Sequence, residues 1–217
     1  MKKIRFITIE GVDGGGKTLG AKKLAERLRR AGGEVVLTRT AGGTVPGLEL
    51  RRLILDPDIG MTPRARFLCF AADMVQVSEQ VILPAIKMGK MVISDRFADS
   101  TRVYQVLTVD GLDLNERQLR SVILRQLLPI PDLTFFLDVT PEEACRRMGR
   151  RDLEFTAKDV FEAEGDSKWK ERRTAYKTLA KLSAGRIVTI DTTELTSDGV
   201  VDRMVDRIDS LNERKVA

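Results

Sequence analysis

The stretch Gly11-Val12-Asp13-Gly14-Gly15-Gly16-Lys17-Thr18 fits the spacing G-x-x-x-x-G-K-[ST]. Residues of these types in this order hold a polyphosphate. Phosphate oxygens bind well to backbone N–H groups that converge on the positive end of a helix. Gly11, Gly14, Gly15 and Gly16 carry no side chain that would block such an approach, and they tolerate unusual dihedrals. The spacing assigns Lys17 to the β- and γ-phosphates and the Thr18 hydroxyl to a Mg²⁺ ion. The bland alternative is a glycine-rich turn that happens to precede a helix. The flanks argue against it. Ile4, Phe6, Ile7 and Ile9 before the loop read as a buried strand, and Leu19, Leu24, Ala25 and Leu28 after it follow a helical rhythm that ends at Gly32-Gly33. The chain is therefore expected to bind a nucleoside triphosphate.

Other charged residues stand where a sheet would present them. A second strand over 34–38 ends at Arg39, and a third over 90–94 delivers Asp95-Arg96-Phe97. Between them the pattern predicts a helix over 48–55 carrying Arg51. A long helix should run from the N-cap Thr62, with Pro63 in its first turn, to about Met88. Its apolar residues cover most of its circumference, which predicts a central, well-buried element. A helix over 115–128 and a nearly all-apolar strand over 132–139 follow. Thr140-Pro141-Glu142-Glu143 then reads as a capping box opening a short helix to about Arg151. A strand over 186–191 and a helix over 200–211 close the chain. Strands alternating with helices predict an α/β fold, a parallel sheet covered on both faces. Ligands of such sheets bind beyond the carboxyl ends of the strands. The glycine loop, Arg39 and Asp95-Arg96 should converge there on one crevice, although an Asp-Arg pair at a strand end also reads as a surface ion pair.

Composition narrows the classes. The chain has 217 residues, 42% hydrophobic and 32% charged, which suits one α/β domain with a small lid insertion at about 150–165. Its apolar runs look too short to span a membrane, and the N-terminus leads straight into a strand, so the expected compartment is the cytoplasm, with no membrane partner. Cys69 and Cys145 have no metal-ligand spacing and read as ordinary thiols. There is no histidine, which removes His-based general base catalysis and His metal sites. The net charge of +5 suits phosphate-rich small molecules. Nucleic acid is the weaker reading, since no helix shows a basic stripe with interleaved aromatics.

With these stretches in hand, the sequence resembles the thymidylate kinase family of P-loop nucleoside monophosphate kinases. The likeness covers F-I-T-I-E-G-V-D-G-G-G-K-T, T-R-T-A-G-G-T, L-R-R-L-I-L, F-A-A-D-M-V-Q, S-D-R-F-A-D-S-T-R-V-Y-Q and P-D-L-T-F-F-L-D-V-T-P-E. It implies a five-stranded parallel sheet with flanking helices and a short lid. It also implies ATP as phosphoryl donor, Mg²⁺, and a nucleoside monophosphate acceptor. By resemblance, Asp13 holds the acceptor's sugar hydroxyl, Asp95 stands beside Mg²⁺, and Arg96 and Arg51 grip the acceptor phosphate, with Arg39 in the loop position before it. Phe70 matches a ring stacked on the pyrimidine, while Thr101, Tyr104 and Gln105 match the stretch facing base and sugar. Taken alone, Phe70 reads equally as core and Arg51 as a solvated helix arginine. Arg146, Arg147, Arg150 and Arg151 read as a solvated helix end, one or two of them belonging to the lid, and Trp169 reads as packing. The family's dimers leave a homodimer open.

Four departures from the family pattern matter. Ala41 replaces a proline, which puts a cis peptide there in doubt. Met74 replaces an arginine that bonds the pyrimidine, and Val106-Leu107-Thr108-Val109-Asp110 replaces a glycine-rich segment. Val160 replaces a lid arginine, leaving Arg150, Arg151 and Lys158 as the candidate lid cations. Met74 and the lost glycine segment predict altered base recognition, because a charged-donor hydrogen bond is worth about 1.5–3 kcal/mol. The readings are then a kinase making dTDP from dTMP, a kinase for a different or modified nucleoside monophosphate, and a nucleotide-binding regulatory protein without transfer. A GTPase is disfavoured because no N-K-x-D stretch occurs.

Overall fold

The computed structural model describes residues 4–149, 161 and 165–213. Runs rich in Ile, Val, Phe and Leu form the strands β1 (Phe6–Glu10), β2 (Val35–Arg39), β3 (Met91–Asp95), β4 (Leu133–Asp138) and β5 (Ile187–Asp191). They pair in parallel in the order β2-β3-β1-β4-β5. Every residue of β1 and β4 is buried, as befits strands covered on both faces. The register sets Ile9 and Arg39 on either side of Asp95, so β2, β3 and β1 end level with one another. That alignment creates the expected crevice at their carboxyl ends.

The helices are α1 (Lys17–Arg30), α2 (Val45–Leu55), α3 (Pro63–Val77), α4 (Leu83–Lys87), α5 (Ala98–Arg102), α6 (Leu114–Leu127), α7 (Pro141–Gly149), α8 (Gly165–Leu182) and α9 (Ser197–Glu213). On one face of the sheet Ile7, Ile9, Phe135 and Leu137 pack with Leu24 of α1 and Met204 of α9. On the other, Phe6, Val92 and Phe97 pack with Phe67, Met74 and Val77 of α3. Burying each such side chain contributes about 1.5–3 kcal/mol, so the two layers fix the strands that carry the site.

The expected helix from 62 to 88 is a composite. Thr62 caps α3 by accepting from the Ala65 N–H, but a π turn over Ser78–Ile82 joins α3 to α4. Its burial is also one-sided: Phe67, Met74 and Val77 are inside, whereas Leu68 is 51% exposed. By length and composition the stretch Pro63–Lys87 could cross a membrane, contrary to the sequence estimate. Here it is a layer helix, packed against α2 and α6 and carrying the buried Asp73.

Two helices stand where no element was expected, and one expected motif forms only in part. α5 continues through a π turn over Val103–Leu107 that periodicity did not reveal. α8 was also not expected, because its sequence GDSKWKERRTAYKTLAKL offers few apolar residues to set a rhythm. The capping box at α7 forms only one arm: Thr140 Oγ1 accepts from the Glu143 N–H, while the Glu143 carboxylate turns to Arg146 and Arg147. The Thr140 N–H is taken by Thr193 Oγ1 instead. The expected end of that helix near Arg151 lies outside the described residues.

Candidate active site

The glycine loop joins β1 to α1. Gly11 (φ 145°), Gly14 (φ 82°) and Gly16 (φ 85°) take conformations that L side chains rarely adopt. Space is short as well: a Cβ on Gly11 would stand 2.6 Å from the Leu137 carbonyl oxygen, and one on Gly14 would stand 2.8 Å from the Ala144 Cα. A Cβ on Gly15 would stand 3.0 Å from the same Leu137 carbonyl oxygen. Lys17 folds back into the loop, its Nζ donating to the Val12 carbonyl at 2.7 Å and lying 3.5 Å from Asp13 Oδ1. Burial, aided by the charge of Arg96, pushes its pKa down to about 8 against the pull of Asp13 and Asp95. A desolvated cation in a ring of amides is a strong receptor for an anion.

Thr18 Oγ1 donates to Asp95 Oδ2 at 2.6 Å, across from β3. Asp95 Oδ1 is buried with no hydrogen-bond partner among the described residues. A hydroxyl beside a carboxylate with a spare oxygen fits Mg²⁺, which keeps several waters and takes only one or two protein oxygens besides phosphate. Beside the loop lies an open cleft lined among others by Gly15, Gly16, Leu19, Arg146 and Arg147. The arginines of α7 are not one solvated helix end. Arg146 is half-exposed, but Arg147 donates to the Thr192 carbonyl at 2.6 Å and to Glu143 at 2.7 Å, bolting α7 to the β5–α9 connection. Arg150, Arg151, Lys158 and Val160 lie outside the described residues.

Arg96 joins the two walls of the crevice. Its Nη2 donates to Asp13 Oδ1 at 2.5 Å and its Nη1 to the Gly11 carbonyl at 3.0 Å. The guanidinium lies 5.3 Å from the centre of the Tyr104 ring, and the Tyr104 hydroxyl reaches Asp13 Oδ2 at 3.5 Å. Burial opposes its charge, but the oxygens of Tyr104 and Asp13 outweigh that and hold the proton tightly. Asp95 and Arg96 therefore do not form the surface pair that their sequence allowed. Each reaches separately into the glycine loop.

The opposite wall begins at the β2–α2 connection. The Thr40–Ala41 peptide is cis although Ala41 is not proline. The Thr40 N–H donates to the Asp95 carbonyl at 3.1 Å, and Arg51 Nη1 donates to the Ala41 carbonyl at 3.2 Å. Arg51 is thus tied to the crevice-side loop rather than simply solvated, while Arg39 is exposed at the end of β2. The Gly42 N–H donates to Asp73 Oδ1 at 2.9 Å. Asp73 is fully buried on α3, and burial raises its pKa to about 6 against that bond and the charges of Arg51 and Arg39. Sequence reading passed over Asp73; an acid between the apolar Ala72 and Met74 was the available signal.

Farther along this wall, Phe70 is half-buried and faces a ring cluster rather than the core. The Phe161 ring lies 6.0 Å from Phe70 and 5.5 Å from Tyr104. Met74 is fully buried, with the Thr101 hydroxyl 3.6 Å from its sulfur. Gln105 is buried in the π turn, its carbonyl accepting from Arg120 Nη1 at 2.7 Å. The segment standing for the glycine-rich one is held by its carbonyls: Arg117 takes those of Val106, Leu107 and Val109, and Lys168 that of Thr108. Trp169 does more than pack, since its indole N–H donates to the Asp13 carbonyl at 3.1 Å. Arg172, also unexpected, lies 4.3 Å from the centre of the Tyr104 ring. Both stand on α8, whose weak pattern concealed them.

Comparison with known proteins agrees with this geometry. A family model described as thymidylate kinase matches residues 9–202. The thymidylate kinase of an Exiguobacterium species is 37% identical over 208 residues, covering 94% of this chain and 95% of the relative. That of Dinoroseobacter shibae is 40% identical over 189 residues, covering 86% and 88%. The crystal structure of thymidylate kinase from Ehrlichia chaffeensis superposes with a TM-score of 0.73 at 29% identity, covering 96% of this chain and all of that one.

Proposed function

The chain belongs to the thymidylate kinase family, and from that premise we propose that it transfers the γ-phosphoryl group of ATP to dTMP, giving ADP and dTDP. One observation carries the reading: Arg96, on the acceptor side, bonds both Asp13 and the Gly11 carbonyl of the loop that cradles the donor. Phosphoryl transfer asks little covalent chemistry of a protein; positioning and neutralisation of spreading negative charge do most of the work. Lys17 binds the β- and γ-phosphates, while Arg96 and Arg51 draw the acceptor phosphate into line. Asp13 orients the acceptor's sugar, and Phe70, Thr101, Tyr104 and Gln105 enclose its base. Thr18 and Asp95 would hold Mg²⁺, which would supply positive charge against the charge of the phosphates. Arg150 and Arg151 are the lid cations of this reading, within one domain acting in the cytoplasm. A homodimer is also proposed, on the strength of the exposed Leu48 of α2 and Leu68 of α3, and sedimentation checks it.

A second reading, a kinase for a different or modified monophosphate, has Met74 in its favour. That buried thioether faces Thr101 and offers no hydrogen-bond donor. Release of ADP measured with Mg²⁺-ATP and each nucleoside monophosphate in turn separates the readings. Fastest turnover of dTMP is expected. A better acceptor would favour the second reading, and no release with any of them would leave a binding protein without transfer.

A further inference from the structure

The roles above leave a fully buried acid without a task. Glu10 is the last residue of β1, directly before the glycine loop, and has no exposed surface. Its Oε1 accepts from the Phe97 N–H at 2.8 Å, and its Oε2 meets the Ser100 hydroxyl. Ser100 Oγ also lies 2.7 Å from the Tyr176 hydroxyl and accepts from Arg96 Nη1 at 3.2 Å. Four elements, β1, the end of β3, α5 and α8, therefore meet at one serine oxygen.

We propose that Glu10 and Ser100 are positioning residues for Arg96, with Tyr176 holding the serine from the far side; the proposal rests on the kinase reading. Two features of Arg96 need such support. Its φ of 65° is disfavoured for a residue with a side chain. Its N–H donates to the Ile9 carbonyl, the Ser94 hydroxyl donates to its C=O, and the next N–H, that of Phe97, goes to Glu10. All the backbone polar groups around the kink are thereby satisfied, and Glu10 supplies the contact that no strand can.

The guanidinium needs an acceptor of fixed direction, and Ser100 provides it. A hydroxyl has one hydrogen and two lone pairs. With Glu10 ionised, the Ser100 hydrogen goes to Oε2, and its lone pairs take Tyr176 O–H and Arg96 Nη1–H. Burial, with the charge of Asp99, pushes the Glu10 carboxyl up to about 8, so the protonated form also counts. Then Oε2–H donates to Ser100 and the Ser100 hydrogen turns to Tyr176. Either form leaves one serine lone pair for Arg96, so the guanidinium keeps its place through both.

The test compares Ser100→Ala, Glu10→Gln, Arg96→Ala and the Arg96→Ala/Ser100→Ala double variant in the dTMP-dependent assay. Ser100→Ala is expected to lower kcat on the order of tenfold to a hundredfold while leaving the KM for ATP unchanged. Glu10→Gln, which retains an acceptor for the Phe97 N–H and a donor to Ser100, is expected to lose far less kcat than Ser100→Ala, and a loss as large as that of Ser100→Ala counts against Glu10 acting through these two hydrogen bonds. The double variant should be no slower than Arg96→Ala alone, because Ser100 acts through Arg96. Full activity of Ser100→Ala, or an additive loss in the double variant, overturns the proposal while leaving the kinase reading intact. Should the wild-type protein turn over no monophosphate, the kinase reading fails, and the side-chain Nε–H NMR signal of Arg96 decides instead. A protected signal lost in Ser100→Ala upholds the positioning role; equal signals refute it.

Discussion

The glycine loop builds its wall of the cleft from main chain, whereas the opposite wall, past the main-chain turn of the β2–α2 connection, is built from side chains on α2, α3, α5, α8 and the π turn after α5. On the first wall almost nothing can be exchanged. A Cβ at Gly11 or Gly14 would collide with the backbone of Leu137 or Ala144, and positive φ values add to the cost. On the second wall no such backbone clash is in force at Met74, which packs with Phe67 and Val77 to hold α3 on the sheet and tolerates exchange for another apolar side chain of similar size. Departures from the family pattern accordingly gather on the acceptor side. The comparison teaches that a loop packed main chain against main chain is fixed by sterics, while a wall of side chains is free to drift.

Substitutions of matched charge on the two walls should therefore fail in different ways. Lys17→Ala has the largest expected effect. It removes the buried ammonium of the donor wall and should lower kcat by on the order of 10²–10³-fold while weakening ATP binding. Turnover with ADP readout, together with a binding titration of ATP, checks both parts. Arg51→Ala comes next and should act on the other substrate. Losing one charge-assisted hydrogen bond is worth about 1.5–3 kcal/mol, so the KM for the monophosphate should rise by roughly one to two orders of magnitude. The KM for ATP should stay where it was. If Arg51→Ala disturbs ATP as much as the monophosphate, the two walls are not separable and the comparison breaks.

The same contrast governs how much of the site is legible in the sequence. The donor wall was legible because its chemistry is spelled contiguously in residues 11–18 between a strand and a helix. The parallel sheet and the meeting of Arg39, Asp95 and the loop followed from strand-helix alternation, whereas the strand order β2-β3-β1-β4-β5 came only with the structure. The acceptor wall was legible only where resemblance named single positions. Glu10, Asp73, Ser100 and Tyr176 escaped notice because each looks ordinary in its own segment; their meaning lies in contacts made across as many as 166 residues of chain, as between Glu10 and Tyr176. α8 escaped for a related reason. Trp169, Ala175, Tyr176, Leu179 and Ala180 carry its inward face, but two of these are alanines and lysines and arginines crowd between them, which blurs the period. The half-formed capping box has a local motive as well: two arginines one turn on compete for Glu143 and win.

Asp73→Asn has the smallest expected effect and the sharpest, because it tests the acceptor wall without touching a substrate-facing group. Burial raises the Asp73 carboxyl from its ordinary 3.8 to about 6, while Gly42 N–H, Arg51 and Arg39 oppose the rise. Between these two values the native protein retains a proton that the unfolded chain has released. Stability must therefore fall as pH climbs from about 4 to about 6 and level off above that, by on the order of 1–3 kcal/mol from this group. Asparagine keeps an oxygen for the Gly42 N–H but cannot titrate, so the variant should lose that part of the decline. Its amide also needs a partner that Asp73 Oδ2 does not show among the described residues. That cost is independent of pH and cancels when denaturation midpoints at pH 4 and pH 7 are compared within each protein. An identical pH slope in wild type and variant would mean that Asp73 is already ionised without penalty. The tie between α3 and the Gly42 loop would then be an ordinary hydrogen bond rather than a buried charge balanced by Arg51 and Arg39.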